Sequence, residues 1–415
     1  MTFSRLRHIA FFLVLLFAHG IAPAWSTPPS HWISSWTAVP DSPGPALQAQ
    51  TIRQIVRTSV GGTQLRVRLS NLFGDAPLAI GAAHLALRDS GAAIRPGSGG
   101  ALTFGKAKSV LIPPGESILS DPLTIEVAPL QELALSMFLP AGTGRSTIHG
   151  AGMQTAYLVP GDDLSQAKVL PSATTDDSRY FVTDVEVAAN REDGTLVVVG
   201  DSIADGIGST EDRNARWPDV LAQQLQRGGE SPRIGVANAG IAGNRILRDA
   251  AKPFVGPSTL ARFERDALAK PGVRWIILAQ GINDIVASDM LADKQQHASV
   301  EELINAMRSL VRRARERGVR VWAATLMPYG GVRKPFVHSA EGEAKRQAVN
   351  AWIRDSGEFD AVLDFDLLMR DRERPDRLLH AFDSGDHLHP NDAGYVAMAA
   401  TAHALIEQEV LRAGH

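Results

Sequence analysis

Leu196-Val197-Val198-Val199-Gly200-Asp201-Ser202-Ile203 is an apolar run that stops at a turn. Four consecutive aliphatic side chains bounded by a glycine predict a strand buried on both faces, as strands are in a parallel sheet covered by helices. Ser202 then stands on the turn at the strand's C-terminal end, the edge where open α/β sheets carry their chemistry. A serine hydroxyl becomes nucleophilic only when a base accepts its proton, and the base needs a third group to hold its tautomer.

Downstream of this run, strands alternate with helices. Arg233–Ala237, Arg274–Leu278, Val319–Thr325 and Ala361–Phe365 read as further strands. The helix after Ser299 is the clearest: Glu302 completes a capping box, Leu303, Met307, Leu310, Val311 and Ala314 form its apolar stripe, and Gly318 closes it. Trp217-Pro218 starts another helix, with Trp217 in the core or a pocket wall. The expected architecture is a five-stranded parallel sheet with helices on both faces, over residues 195–412.

Upstream the rhythm differs. From Trp32 to Val187 short runs alternate with turn residues and no long helical period appears. Gln64–Leu69 alternates strictly, as a half-buried strand does, and Gly61-Gly62 between it and Gln54–Val60 is a hairpin signal. Leu78–Ala86, Ser109–Ile112, Leu123–Val127, Glu132–Phe138 and Ala156–Val159 are further candidates. Residues 28–190 therefore read as a β-sandwich or jelly roll. The polar stretch 188–194 marks the boundary.

The N-terminus carries Arg5 and Arg7, an apolar stretch from Ile9 to Ala18, and the small-x-small site Ala22-Pro23-Ala24. That is the pattern of a cleavable signal peptide over residues 1–24, cut after Ala24, and it implies a secreted or periplasmic protein without a stable membrane anchor. The 415 residues contain no cysteine, which excludes disulfides, thiol catalysis and a cysteine zinc site. Loss of Arg5 and Arg7 takes the formal net charge from −3 to −5. So mild a charge implies no nucleic-acid partner. The one basic run, Arg312–Arg317, falls at a helix end, where cations complement the dipole.

The base for Ser202 is best sought in Asp386-His387-Leu388-His389-Pro390. Asp386 precedes His389 by three residues in a Gly- and Pro-bounded loop, so one short segment supplies a base and its orienter. Donors for the developing oxyanion are the Ser202 N–H, a glycine N–H within Asn238–Asn244, and the Asn283 amide, which follows the apolar run Trp275–Leu278. The glycine is Gly240 or Gly243. A metal cluster of Asp383, Asp386, His387 and His389 is the competing reading, but it leaves Ser202, Gly243 and Asn283 without a purpose.

These four segments, in this order and spacing, resemble the consensus blocks of the GDSL-type SGNH hydrolases, which are esterases, lipases, carbohydrate deacetylases and thioesterases with a flavodoxin-like three-layer fold. The resemblance spans residues from about 195 to 410 and implies the roles position by position. Ser202 is the nucleophile, Asp386 and His389 complete the triad, and the Ser202 N–H, Gly243 and Asn283 form the oxyanion hole. Gly243 takes that role because the family's donor glycine falls five residues after the block's Asn, here Asn238. His387 lies outside the family's Asp-x-x-His pattern and is a loop residue and candidate substrate contact. Trp32-Ile33-Ser34-Ser35-Trp36, Leu326–Gly331 and Arg346–Arg354 also resemble a secreted subgroup with an N-terminal β-rich domain.

The expected function is a secreted serine esterase acting through an acyl-enzyme on short acyl groups, an acetylated carbohydrate or a small or aryl ester, with no cofactor or metal. Acyl transfer to a sugar hydroxyl uses the same residues. A glycan-binding protein with a degenerate hydrolase domain is the remaining alternative. Oligomeric state is not legible in the sequence.

Overall fold

The computed structural model describes residues 31–227, 232–250 and 252–411. The signal-peptide reading of residues 1–24 and the first residues of the β region fall outside them. The described residues cluster as one compact unit. Among the described residues no helix is long and apolar enough to cross a membrane.

The longer strands of the β region are β1 (Trp32–Thr37), β2 (Gln50–Arg57), β3 (Gly62–Ser70), β4 (Ala82–Leu87), β5 (Leu123–Val127), β6 (Glu132–Leu139), β7 (Arg145–His149), β8 (Ala156–Pro160) and β9 (Val182–Ala188). One antiparallel sheet runs β1-β9-β3-β5, and the other runs Thr174–Asp176, β8, β2, β6, β4, Gly100–Ala101. Between them Ile52, Val56, Leu65, Val67, Leu69, Leu133, Leu135, Val185 and Val187 interdigitate in a dry core. The alternation of β3 is real: Leu65, Val67 and Leu69 are buried while Arg66 and Arg68 are half-buried.

The expected hairpin across Gly61-Gly62 does not form. β2 pairs with β6 and β8, whereas β3 pairs with β9 and β5 in the opposite sheet. The intervening residues cross between layers, held by Thr58 N–H to the Gln131 carbonyl at 3.0 Å and Ser59 N–H to the Ser35 carbonyl at 2.7 Å. A glycine pair permits a two-residue hairpin but equally permits a sheet-to-sheet crossing, and burial of both strands on the same core selected the second. Leu78–Ala86 is likewise two strands, Leu78–Ile80 and β4, broken at Gly81.

After Ala188 the architecture becomes β10 (Gly194–Gly200), α1 (Trp217–Arg227), β11 (Ile234–Gly240), β12 (Val273–Ala279), α2 (Ile282–Met290), α3 (Val300–Arg315), β13 (Arg320–Ala324), α4 (Ala340–Asp355), β14 (Ala361–Leu363) and α5 (Asp392–Ile406). The sheet is parallel with order β11-β10-β12-β13-β14, the flavodoxin-like arrangement. In β10, Val197 and Val199 face one helical layer while Leu196 and Val198 face the other. The last strand stops at Leu363 because the Asp364 side chain caps the short helix Phe365–Met369. The capping box on Ser299 and Glu302 closes as expected, and the α3 stripe is buried. Arg308, Arg312, Arg315 and Arg317 are spent on Glu358, Glu316, Asp360 and Glu264 at the helix surface.

β11 is an edge strand of the parallel sheet, and an exposed edge invites unwanted pairing. The β region covers it. Ser59 Oγ accepts the Val236 N–H at 2.9 Å, and the Ser34 carbonyl lies so close to Gly235 that a Cβ there would sit 2.0 Å from it. Lys270 Nζ reaches Asp184 of β9 at 2.7 Å in a buried pair. Trp217 is fully buried, edge-on to Phe365 at 5.7 Å, which makes it core.

Candidate active site

The register of β10 aligns Gly200 with Gly240 on one side and Ala279 on the other. Three strands therefore end at one level, and the residues that follow them converge. At the end of β10 the chain enters a one-turn helix, Ser202–Asp205, whose N-cap Asp201 accepts the Ile203 N–H at 3.0 Å. This exposes the first residue of the turn above the sheet; Ser202 retains 7 % of its surface.

His389 arrives from the loop before α5. That loop is pinned by Ser384 N–H to the His389 carbonyl at 3.0 Å and Asn391 N–H to the Phe382 carbonyl at 2.8 Å. The segments that carry Ser202 and His389 are tied together by Asp392, which accepts the Thr210 N–H at 2.8 Å and its hydroxyl at 2.7 Å, and by the Tyr395 hydroxyl donating to the Ile207 carbonyl at 2.6 Å. His389 Nε2 lies 2.8 Å from Ser202 Oγ, and His389 Nδ1 lies 2.6 Å from Asp386 Oδ2. The other Asp386 oxygen accepts the N–H groups of Leu388 at 2.9 Å and His389 at 2.8 Å.

An ionised carboxylate only accepts, so Nδ1 of the neutral ring carries the proton and the Nε2 lone pair points at the serine. Partial burial works to raise the Asp386 carboxyl, but the imidazole and the two backbone N–H groups outweigh it and hold it well below the usual carboxylate range. Asp386 thus stays ionised through the whole acid range in which a histidine titrates.

In the Asn238–Asn244 segment, the Gly240 N–H is engaged by Asn238 Oδ1 at 2.9 Å. Among the described residues neither the Ser202 nor the Gly243 N–H meets a protein acceptor. Gly243 has φ 76°, in the left-handed region, and a Cβ there would lie 2.7 Å from Val255 Cγ1. Only glycine takes that backbone without strain. Asn283 is the second residue of α2, and its Nδ2 donates to the Asn244 carbonyl at 3.1 Å, which leaves the second amide hydrogen unspent. Gly243→Ala is expected to lower kcat/KM by about 100-fold, since a displaced oxyanion donor costs on that order. Steady-state kinetics against the parent chain would show it, and parity would contradict it.

His387 does not join the Ser202–His389–Asp386 line. Its Nδ1 pairs with the buried Asp383 carboxylate, and the ring stays partly exposed. Asp383 and Asp386 therefore each hold a separate imidazole. Sequence reasoning missed Asn244 and Arg262. The Arg262 guanidinium is buried and donates to the carbonyls of Gly200 at 3.1 Å and Ala239 at 2.9 Å, and to Asn244 Oδ1 at 3.0 Å. It braces the ends of β10 and β11 beneath both turns. An arginine beside the apolar Phe263 and Ala267 was the available signal.

Residues 198–397 match the model of the GDSL-like Lipase/Acylhydrolase family. No curated protein matches the chain. Similar solved structures include a GDSL-like lipase from Bacteroides thetaiotaomicron, 18% identical with TM-score 0.39 over 53% of this chain and 90% of its own. A catalytic mutant of an acetylxylan esterase from Geobacillus stearothermophilus is 23% identical with TM-score 0.39 over 51% of this chain and 94% of its own.

Proposed function

We propose that this chain, which carries a GDSL-type SGNH hydrolase domain over residues 198–397 and is a carboxylic ester hydrolase, works as a secreted serine esterase for short acyl groups. The observation that carries the reading is the continuous line from Asp386 through His389 to Ser202, at 2.6 and 2.8 Å. His389 takes the Ser202 proton as Oγ attacks the ester carbonyl, and the negative oxygen meets the N–H groups of Ser202 and Gly243 and the Asn283 amide. The alcohol leaves with the proton from His389. His389 then deprotonates water, which attacks the acyl-enzyme and releases the acid.

The carbohydrate-acetyl class and small or aryl esters are the two substrate classes to be separated. Export is inferred from Arg5, Arg7 and the Ala22-Pro23-Ala24 site, and an N-terminus beginning elsewhere than Trp25 in the exported protein would refute the cut after Ala24.

The test is release of acetate from an acetylated polysaccharide and of p-nitrophenol from p-nitrophenyl acetate, with Ser202→Ala as control. Ser202-dependent release from both, faster on the polymer, supports a carbohydrate deacetylase. Release from the aryl ester alone assigns a small-ester hydrolase. Acetyl appearing on an added sugar instead of as free acid makes the enzyme a transferase, and no Ser202-dependent turnover on either substrate sinks the reading.

A further inference from the structure

His149 ends β7, in the β region, and reaches beneath the nucleophile turn, where it is 4 % exposed. Its Nε2 lies 2.9 Å from Asp205 Oδ1 and its Nδ1 lies 2.9 Å from the Val39 carbonyl, with Asp41 Oδ2 at 3.7 Å. Both ring nitrogens face oxygens that accept, so both carry hydrogen and the ring is an imidazolium. Asp205 is the last residue of the one-turn helix that Ser202 begins. Its other oxygen accepts the Ala242 N–H at 2.9 Å, the amide immediately before Gly243. Asn238 closes the same junction by donating to the Ala204 carbonyl at 2.7 Å. One carboxylate therefore joins the Ser202 turn, the Gly243 turn and a cation supplied by the β-sandwich.

We propose that His149 is a positioning residue of the esterase site: it fixes Asp205, Asp205 fixes the Ile241–Ala242 peptide directly before the one that carries the Gly243 N–H, and the β-sandwich thereby sets the oxyanion geometry. The inference rests on the reading of Gly243 as an oxyanion donor. A carboxylate this deeply buried is tolerated only with a charge partner and filled hydrogen bonds. The other charges near it are committed elsewhere. Arg216 is paired with Asp219 at 2.6 Å, and Arg262 serves the strand-end carbonyls, so neither replaces the His149 bond. On the far side of the ring Asp41 is held by Ser42 and by the Gly150 N–H.

Burial works to lower the His149 pKa, but the Asp205 and Asp41 carboxylates and the Val39 carbonyl outweigh it and hold it up at about 9. The value is raised above the 6.5 of an unfolded histidine. Its contribution to stability is therefore complete below about 6.5 and is lost as pH rises through about 9.

Two measurements test the clamp. In the unaltered chain the imidazole nitrogen resonances of His149 should be those of a doubly protonated ring at pH 7.5, where a free histidine is neutral; a neutral ring overturns the inference whatever variants do. In His149→Gln, kcat on p-nitrophenyl acetate should fall about 10- to 100-fold with KM within about twofold, and a tetrahedral boronic acid should lose affinity by a matching factor, because about 1 Å of misplacement costs on that order. A folded variant with unchanged kcat and boronate affinity, even one with a lower Tm, overturns the inference. Ser202→Ala separates the two levels. Turnover surviving in Ser202→Ala removes the esterase reading and this inference together, whereas an inert Ser202→Ala beside a fully active His149→Gln removes only this one.

Discussion

Ser202→Ala is expected to lower kcat/KM for any ester substrate by about 10⁴-fold or more, leaving only what the oxyanion donors and binding supply. The removed oxygen is the atom 2.8 Å from His389 Nε2, and among the described residues no other hydroxyl bonds that nitrogen. Folding should be untouched. Ser202 opens a one-turn helix, which alanine favours, and the lost hydrogen bond is worth about 1 kcal/mol against a domain's total. Equal far-ultraviolet circular dichroism and Tm beside the lost turnover establish the point. With the parent enzyme, rapid quenching on p-nitrophenyl acetate should trap Ser202 carrying one acetyl group. Near-normal turnover in the purified variant would refute a serine mechanism.

Asp386→Asn is expected to lower kcat by about 10⁴-fold with KM little changed, since a neutral amide in this position favours the wrong tautomer. Both Asp386 oxygens are accepting, one from His389 Nδ1 and the other from the Leu388 and His389 N–H groups. An asparagine has one acceptor and one donor end. With its NH2 toward the ring, Nδ1 must accept, the proton moves to Nε2, and Ser202 loses its base. With its oxygen toward the ring, the NH2 opposes two backbone donors and the loop that carries His389 is driven apart. Either orientation removes the geometry. A loss smaller than tenfold would show that Asp386 does not orient the base.

The strand from Leu196, the Ser299 capping box and the α3 stripe were legible because their signals are local: a run, a cap and a period fall within a few residues. The site was nearly as legible. Ser202, Gly243 and Asn283 follow strands whose register ends them at one edge, and Asp386 and His389 sit in one short loop held against the Ser202 segment by Asp392 and Tyr395. The choice between Gly240 and Gly243 was not legible in the residues. The Gly240 N–H is spent on Asn238, which leaves Gly243 as the candidate donor.

The hairpin expectation failed for a related reason. Gly61-Gly62 marks a place where the chain can turn, while the partner of each strand is set by the shared core of two sheets. His149 was illegible, and Arg262 was marked only by its apolar neighbours, because a buried cation leaves no period and its purpose lies in acceptors on other elements. Asp205 lies 56 residues from His149 in the chain. From the sequence by itself follow the strand–helix alternation, the two kinds of architecture and the residues able to form a nucleophile, base and oxyanion hole, because propensity and short-range chemistry suffice. Only the tertiary structure decided how the β-sandwich meets the parallel sheet, which backbone donors remain free and which buried charges brace them, because those depend on contacts between elements distant in the chain.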